Sequence, residues 1–308
     1  MKDNCPLVSI SCITYNHAPY IRQCLDGFMM QQTNFAFEVL IHDDASTDGT
    51  TEIIKEYEEK YPDIIKPLYE EENQWVKGRR GSAVFNFPRA KGKYIALCEG
   101  DDYWIDPLKL QKQVDFLEAN PDFVMCSHLS KMYLQNDNIL KDDWHGHLLN
   151  GIIYDLDKLI HGWWDFQTAT VMFCAKQLDQ RLYSRYPYPV DAVLFFHVLK
   201  KGNGYVMPQE MAVYRVHAGG GWANLNYNSQ TKQDFLTRIG LYEVEQSYEA
   251  AFYLRHQLAK PMSRLLMIQE WKLMIKSFKI ISKHFGFFST FKTFFLKLFL
   301  NRTLKYSI

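Results

Sequence analysis

A chain of 308 residues with 47% hydrophobic and 23% charged side chains can bury a substantial core, which excludes a disordered or low-complexity protein. Its formal net charge of zero gives no electrostatic footprint for nucleic acid. The balance is uneven along the chain: residues 260–308 hold ten Lys/Arg against one acid, Glu270, a formal +9 that the rest of the chain offsets.

The opening MKDNCPLVSISCITYN has no basic start followed by a long apolar run, so no secretory leader is expected. Nor does any stretch reach the roughly 18 uninterrupted apolar residues of a membrane-spanning helix. Six cysteines (Cys5, Cys12, Cys24, Cys98, Cys126, Cys174) form no C-x-x-C pair and have no histidine at zinc spacing. Several lie in apolar runs, where a thiol behaves as a small hydrophobe. Disulfides are not expected, and a cytoplasmic, reducing compartment fits.

In chain order, LVSISCITY reads as a buried strand, and Ile21, Cys24, Leu25 and Phe28 then recur at helical spacing. FEVLIH is the next strand, followed by a helix facing inward with Ile53, Ile54, Tyr57 and Tyr61. DIIKPLY and KYIALC are further strands. Asp106-Pro107 is expected to open a helix as N-cap and first turn, with Leu110, Val114 and Leu117 inward. This alternation predicts an α/β fold with a mostly parallel central sheet flanked by helices. Beyond residue 121 the pattern is mixed: FVMCSH, TVMFC, GYVMP and EMAVYRVH read as strands, and residues 190–200 as a helix beginning at Asp191. From about 227 the chain reads as helical, with Pro261 and Gly286 as the main breaks.

Ligands of parallel α/β sheets bind beyond the carboxyl ends of the strands, and polar residues gather there. The first strand runs out at Thr14-Tyr15-Asn16, the second at His42-Asp43-Asp44-Ala45-Ser46-Thr47-Asp48-Gly49-Thr50, and a later one at Glu99-Gly100-Asp101-Asp102. Closely spaced carboxylates repel unless a cation lies between them, and hard oxygen ligands favour Mg²⁺ or Mn²⁺. A solvated turn capping the next helix would show the same acids. Ser46, Thr47 and Asp48 suit N-capping, whereas Asp43 and Asp44 sit on the strand end itself, where a carboxylate can accept a nucleobase N–H. Tyr15 offers a ring for stacking, or for ordinary packing.

Three of these segments together resemble the family-2 glycosyltransferases of the GT-A fold. VSISCITYN with Tyr20-Ile21 is similar to that family's first strand and helix start. VLIHDDASTDGT is similar to its nucleotide-binding motif, and KGKYIALCEGDDYWIDPLKLQKQ to its Asp-x-Asp segment, in order and at matching spacing over roughly residues 6–220. The resemblance implies that Thr14, Tyr15 and Asp44 contact the sugar nucleotide. It puts Glu99 and Asp101 at the Asp-x-Asp positions, touching ribose and metal, with Asp102 beside the metal. Tyr214-Arg215-Val216-His217, followed by Gly219-Gly220-Gly221-Trp222, resembles the segment near the diphosphate and makes His217 a metal or phosphate ligand. Asp191, at the start of a helix, matches the position of the catalytic carboxylate. Two departures stand out: Glu99 replaces the first Asp, and Ala83-Val84-Phe85 stands where the family often has Ala-Arg-Asn. Arg79 and Arg80 lie earlier and read as a basic turn.

The implied chemistry is a single displacement. A carboxylate takes the proton of an acceptor hydroxyl as its oxygen attacks the anomeric carbon, and Mg²⁺ or Mn²⁺ stabilises the departing diphosphate. The expectation is an inverting, metal-dependent enzyme moving sugar from a UDP-sugar to a glycan or lipid-linked glycan in bacterial surface glycan assembly. A catalytically silent sugar-nucleotide-binding module is the alternative, which the presence of Asp191 disfavours. A nicotinamide enzyme is disfavoured because no G-x-G-x-x-G follows the first strand.

Residues 1–225 are expected to form the catalytic domain, with a nucleotide half to about 130 and an acceptor half beyond. Residues 226–308 form a helical C-terminal extension, basic and aromatic from 260. Lys272, Lys276, Lys279 and Lys283 form one helical stripe, and Phe287, Phe288, Phe291, Phe294, Phe295 and Phe299 follow. Basic residues with Phe and Trp suit an interfacial helix on an anionic membrane, here the inner face of the cytoplasmic membrane. A cap on the catalytic domain or on a second subunit of a homo-oligomer is the other reading. Trp163 and Trp164 suit an acceptor platform or core packing, and His145-Gly146-His147 reads as surface.

Overall fold

Val8–Thr14 (β1) is buried along nearly its whole length, so both of its faces must be covered. It pairs in parallel with Phe37–Asp43 (β2) on one side and Tyr94–Leu97 (β4) on the other, and Ile65–Tyr69 (β3) extends the parallel set beyond β2. The computed structural model describes residues 5–79, 81–142, 150–164, 166–220, 225–258 and 270–292. Arg80, His145-Gly146-His147, Gly221-Trp222, Pro261, Phe294, Phe295 and Phe299 lie outside the described residues.

The mixed, mostly parallel sheet runs β3-β2-β1-β4-β9-β6-β10-β5. Its second half comprises Phe123–Leu134 (β6) and Asn203–Val216 (β10), a long parallel pair, with Tyr103–Trp104 (β5) at the edge. Ile139–Asp142 (β7) and Ile152–Tyr154 (β8) are antiparallel additions to β6 and β10. Met172–Cys174 (β9) joins the halves, antiparallel to both β4 and β6. The two segments read separately as GYVMP and EMAVYRVH are one 14-residue strand, β10. Pro208 has no N–H for the ladder, and the register against β6 slips between Met207 and Ala212, where a bulge accommodates it.

Helices cover both faces. Ile21–Met29 (α1) buries Ile21, Cys24, Leu25 and Phe28, the face its spacing predicts. Thr50–Lys60 (α2), Gly81–Phe85 (α3) and Lys109–Ala119 (α4) follow. The α4 helix starts later than Asp106-Pro107 implies. Asp106 instead accepts the Leu108 and Lys109 N–H groups in a turn, so it caps from outside the helix. One core packs around α1, α2 and α4 and includes Cys12, Cys24, Cys98, Cys126 and Cys174, all free thiols. The other gathers Leu156–Ile160 (α5), Gln180–Tyr183 (α6) and Asp191–Leu199 (α7).

Tyr227–Glu245 (α8) and Tyr248–Leu258 (α9) share that second core through Leu241, Tyr242, Ala250, Ala251 and Tyr253. Trp271–Phe285 (α10) docks on them through Ile281, against Phe235, Ile239 and Leu254. Among the described residues, no helix is long and apolar enough to cross a membrane.

Candidate active site

The site forms where β1, β2 and β4 run out together, because parallel pairing aligns their carboxyl ends. Just beyond β4, Gly100 donates its N–H to the Ile13 carbonyl at 2.9 Å. A Cβ at Gly100 would fall 2.7 Å from Thr14 Oγ1, so only glycine lets the acid turn lie this close to β1. The turn is seated from below by α1. Gly27 passes so near β5 that an added Cβ would meet the Trp104 backbone at 3.0 Å.

Glu99, Asp101 and Asp102 bring carboxylate oxygens within 4.8 Å of one another, and Asp101, His217 and His17 form a second such group. His217 Nε2 lies 3.0 Å from Asp101 Oδ2, and His17 Nε2 3.8 Å from the same oxygen. Asp101 Oδ1 is buried without a hydrogen-bond partner, as is His17 Nδ1. Gly219 donates its N–H to His217 Nδ1, which leaves Nε2 facing the carboxylate.

Burial, then the charges of Asp101 and Asp191, push the Glu99 carboxyl up to about 8. Burial and Asp101 likewise hold Asp102 well above the ordinary carboxylate range. Burial pushes Asp101 the same way, but the hydrogen bond from His217 together with the charges of His17 and His217 holds that carboxyl below its usual value. Burial lowers His17 despite the neighbouring Asp101.

Such a crowd of acids, one with an orphaned buried oxygen and two imidazoles alongside, fits a divalent cation with oxygen and nitrogen ligands. Asp101 offers the free oxygen, with Glu99, His217 and His17 around it. Asp102 is partly committed elsewhere, since its Oδ1 accepts the Arg215 N–H at 2.8 Å. The Arg215 guanidinium is buried among the rings of Tyr20, Tyr103 and Tyr133 and donates to the Asp101 carbonyl and to the side chains of Gln23 and Gln135. It clamps the backbone that carries the acids.

Asp191 reaches this turn through β9. The short helical turn Thr168–Thr170 precedes β9, and Leu97 N–H donates to the Val171 carbonyl, so Thr168 lies beside the end of β4. Thr168 Oγ1 donates to Asp191 Oδ2 at 2.9 Å, and Asp191 Oδ1 accepts the Ala192 N–H. Burial raises the Asp191 carboxyl, with the Thr168 hydrogen bond opposing it.

At the end of β2 the two acids differ. Asp43 accepts from Ser46 N–H and Thr51 Oγ1, a structural cap. Asp44 is buried, and its oxygens accept the Gln74 N–H at 2.6 Å and the Trp75 N–H at 3.2 Å. Asp48 caps α2 by accepting from Thr50. Tyr15 is exposed at the end of β1; Trp163, just after α5, is also exposed, whereas Trp164 packs on Phe166 and Phe195. Arg79 donates to Gln74 and lies over the Phe85 ring.

Sequence reasoning missed His17 and Lys109. His17 follows the first strand by three residues, and only the return of β10 brings His217 and Asp101 against it. Lys109 is fully buried, 3.9 Å from the Trp104 ring centre and donating to Gln113; burial holds it down to about 7. Its sole signal was a lysine between Leu108 and Leu110 at the start of α4.

The fold agrees with comparisons to known proteins. An uncharacterized protein of Mycobacterium tuberculosis is 38% identical over 218 residues, covering 70% of this chain and 60% of that relative. The Escherichia coli UDP-Glc:alpha-D-GlcNAc-diphosphoundecaprenol beta-1,3-glucosyltransferase WfaP is 27% identical over 76% of this chain and 87% of its own length. Staphylococcus aureus TarS 1-349 in complex with UDP-GlcNAc superposes with a TM-score of 0.61 at 16% identity, covering 90% of this chain and 80% of that one. The model of glycosyl transferase family 2 matches residues 9–182, more than half of the sequence, and this chain belongs to that family.

Proposed function

We propose that the protein is an inverting glycosyltransferase that moves a sugar from a UDP-sugar to a hydroxyl of a lipid-linked glycan, using a divalent cation. The observation that carries this reading is the placement of Asp191 beside the acid turn: its carboxylate accepts the Thr168 hydroxyl at 2.9 Å, and the Val171 carbonyl of the same turn accepts the N–H of Leu97, two residues before Glu99. In this reading Asp191 is the base while the acid turn holds the cation, a division of roles unlike the opposed carboxylate pair of a hydrolase.

In this reading Asp101, Glu99, His217 and His17 hold Mg²⁺ or Mn²⁺, whose chemistry is to neutralise the departing diphosphate. Thr14 lines the floor of the donor pocket beside Gly100, Tyr15 and Asp44 mark its nucleotide end, and Asp102 with Arg215 fixes the acid turn. Asp191 takes the acceptor proton, and its raised carboxyl brings it nearer neutral pH, where a general base is most effective. TarS with UDP-GlcNAc and WfaP, named for a UDP-glucose donor and a diphosphoundecaprenol acceptor, support the donor and acceptor classes.

A membrane acceptor gives α10 a role. Lys272, Lys276, Lys279 and Lys283 are exposed, and Trp271 and Ile275 are exposed alongside that stripe, while Ser277 and Ile281 are buried. Phe287, Phe288 and Phe291 are exposed in the helical residues that follow. Apolar rings beside lysines suit the cytoplasmic leaflet.

Asp191→Asn separates this enzyme from a silent binding module. The variant should bind UDP as the wild type does and lose transfer by about 10²- to 10⁴-fold, measured as UDP release across a panel of UDP-sugars and acceptors. NMR of the product should show an inverted anomeric centre. Wild-type transfer by the variant, or retention of configuration, would refute the mechanism.

A further inference from the structure

Ala169, Thr170 and Val171, which follow Thr168, each have their carbonyl held by a different element. Trp104 Nε1, on β5, donates to the Ala169 carbonyl at 2.9 Å. Gln113 Nε2, on α4, donates to the Thr170 carbonyl at 2.9 Å, and the Leu97 N–H of β4 donates to that of Val171. All six of these residues are buried. Two of the three donors are side chains, so the turn takes its place from their rotamers and not from the sheet ladder alone.

Lys109 fixes both of those side chains. Its Nζ donates to Gln113 Oε1 at 2.7 Å and lies 3.9 Å from the centre of the Trp104 ring. An ammonium only donates, so it draws Oε1 towards itself and turns the amide so that Nε2 meets the Thr170 carbonyl. Its charge against the indole face holds the ring plane, and with it the direction of the indole N–H. Lys109 is fully buried, and among the described residues no carboxylate pairs with it. A solitary buried ammonium is costly, and a methionine would fill the same space without that cost. Packing by itself therefore does not account for a lysine here.

We propose that Lys109, Trp104 and Gln113 form a positioning bracket for Asp191, setting the Thr168 hydroxyl and through it the carboxylate relative to the acid turn. This rests on Asp191 being the base, as read above. Trp104 follows Asp102 by two residues, so the indole that holds the Ala169 carbonyl leaves the chain directly after the acid turn. The bracket thereby ties the base to the cation side of the pocket. A displacement on the order of 1 Å between the two is enough to slow transfer about 100-fold.

Lys109→Met keeps the stem and removes the charge and the donor. With the UDP-sugar of the panel above that the wild type turns over fastest, its kcat should fall about 10- to 100-fold. The donor KM, and the calorimetric Kd for UDP with Mn²⁺, should stay within about threefold of wild type. Gln113→Glu keeps an acceptor for Lys109 but loses the N–H donor to Thr170, and should show the same split. A role in folding alone predicts lower stability in urea with kcat per folded molecule unchanged. The deciding measurement is a double-mutant cycle. In the Asp191→Asn background, which has no base to place, Lys109→Met should slow residual transfer by less than about twofold further. A full independent loss in that background, or wild-type kcat in Lys109→Met, overturns the bracket. Should Lys109→Met fail to fold, Trp104→Phe removes the indole N–H while keeping a ring, and the same cycle with Asp191→Asn decides. Wild-type transfer by Asp191→Asn alone would instead defeat the reading of the base.

Discussion

Thr168 Oγ1 and Asp191 Oδ2 are 2.9 Å apart, a hydrogen bond that ties the turn before β9 to the first residue of α7. It stabilises the ionised carboxylate against the burial that raises it. A base must be deprotonated to act, so kcat/KM should fall as pH drops through this raised value, giving an acid limb above the ordinary carboxylate range. Thr168→Val removes the donor and should move that limb further up, with the plateau at high pH little changed. A pH profile of each protein checks this, and an unmoved limb would separate Asp191 from the rate.

The cation site can be read without turnover. Titration of the purified chain with Mn²⁺, followed by loss of the free-ion EPR signal, should show one site that Asp101→Asn abolishes. His17→Ala should weaken it by at least about tenfold, since an imidazole within reach of the same oxygen is either a ligand or its close support. Nitrogen ligands also favour Mn²⁺ over Mg²⁺ at this site. Unaltered Mn²⁺ affinity in His17→Ala would remove that residue from the site.

Gly27 tests how the acid turn is seated. Gly27→Ala improves helix propensity by up to about 1 kcal/mol, but the new methyl meets the Trp104 backbone at 3.0 Å. Overpacking of that kind costs about 1–3 kcal/mol, so the balance should be a net loss of about 1 kcal/mol in urea unfolding. A stabilised variant would mean that β5 can move away from α1 freely.

The basic helix should bind anionic vesicles. Flotation with phosphatidylglycerol liposomes should recover the full chain and not a version ending near Lys260. Recovery should fall as salt rises, because the Debye length shrinks to about 8 Å at physiological ionic strength. Equal recovery of both versions from neutral and anionic vesicles would leave subunit packing as the reason for the exposed rings.

What the sequence determined by itself was the first four strands and, between them, the helices α1 and α2. They follow one another at short range, so hydrophobic period locates them, and parallel pairing then brings Thr14, Asp44 and Glu99 to one edge without further information. The charge asymmetry of the tail was equally plain. Tertiary structure alone decided the rest, because it depends on pairings between distant segments. The three-residue strand β9 is too short to announce its antiparallel place between β4 and β6, yet it carries Thr168, and through it Asp191, to the acid turn. Likewise β10 returns 116 residues after Asp101 to set His217 against it, and so reveals His17. Asp44 shows the limit most clearly. A carboxylate at a strand end looks the same in sequence whether it faces a base or caps a turn, and only the burial around it decides which N–H groups it meets.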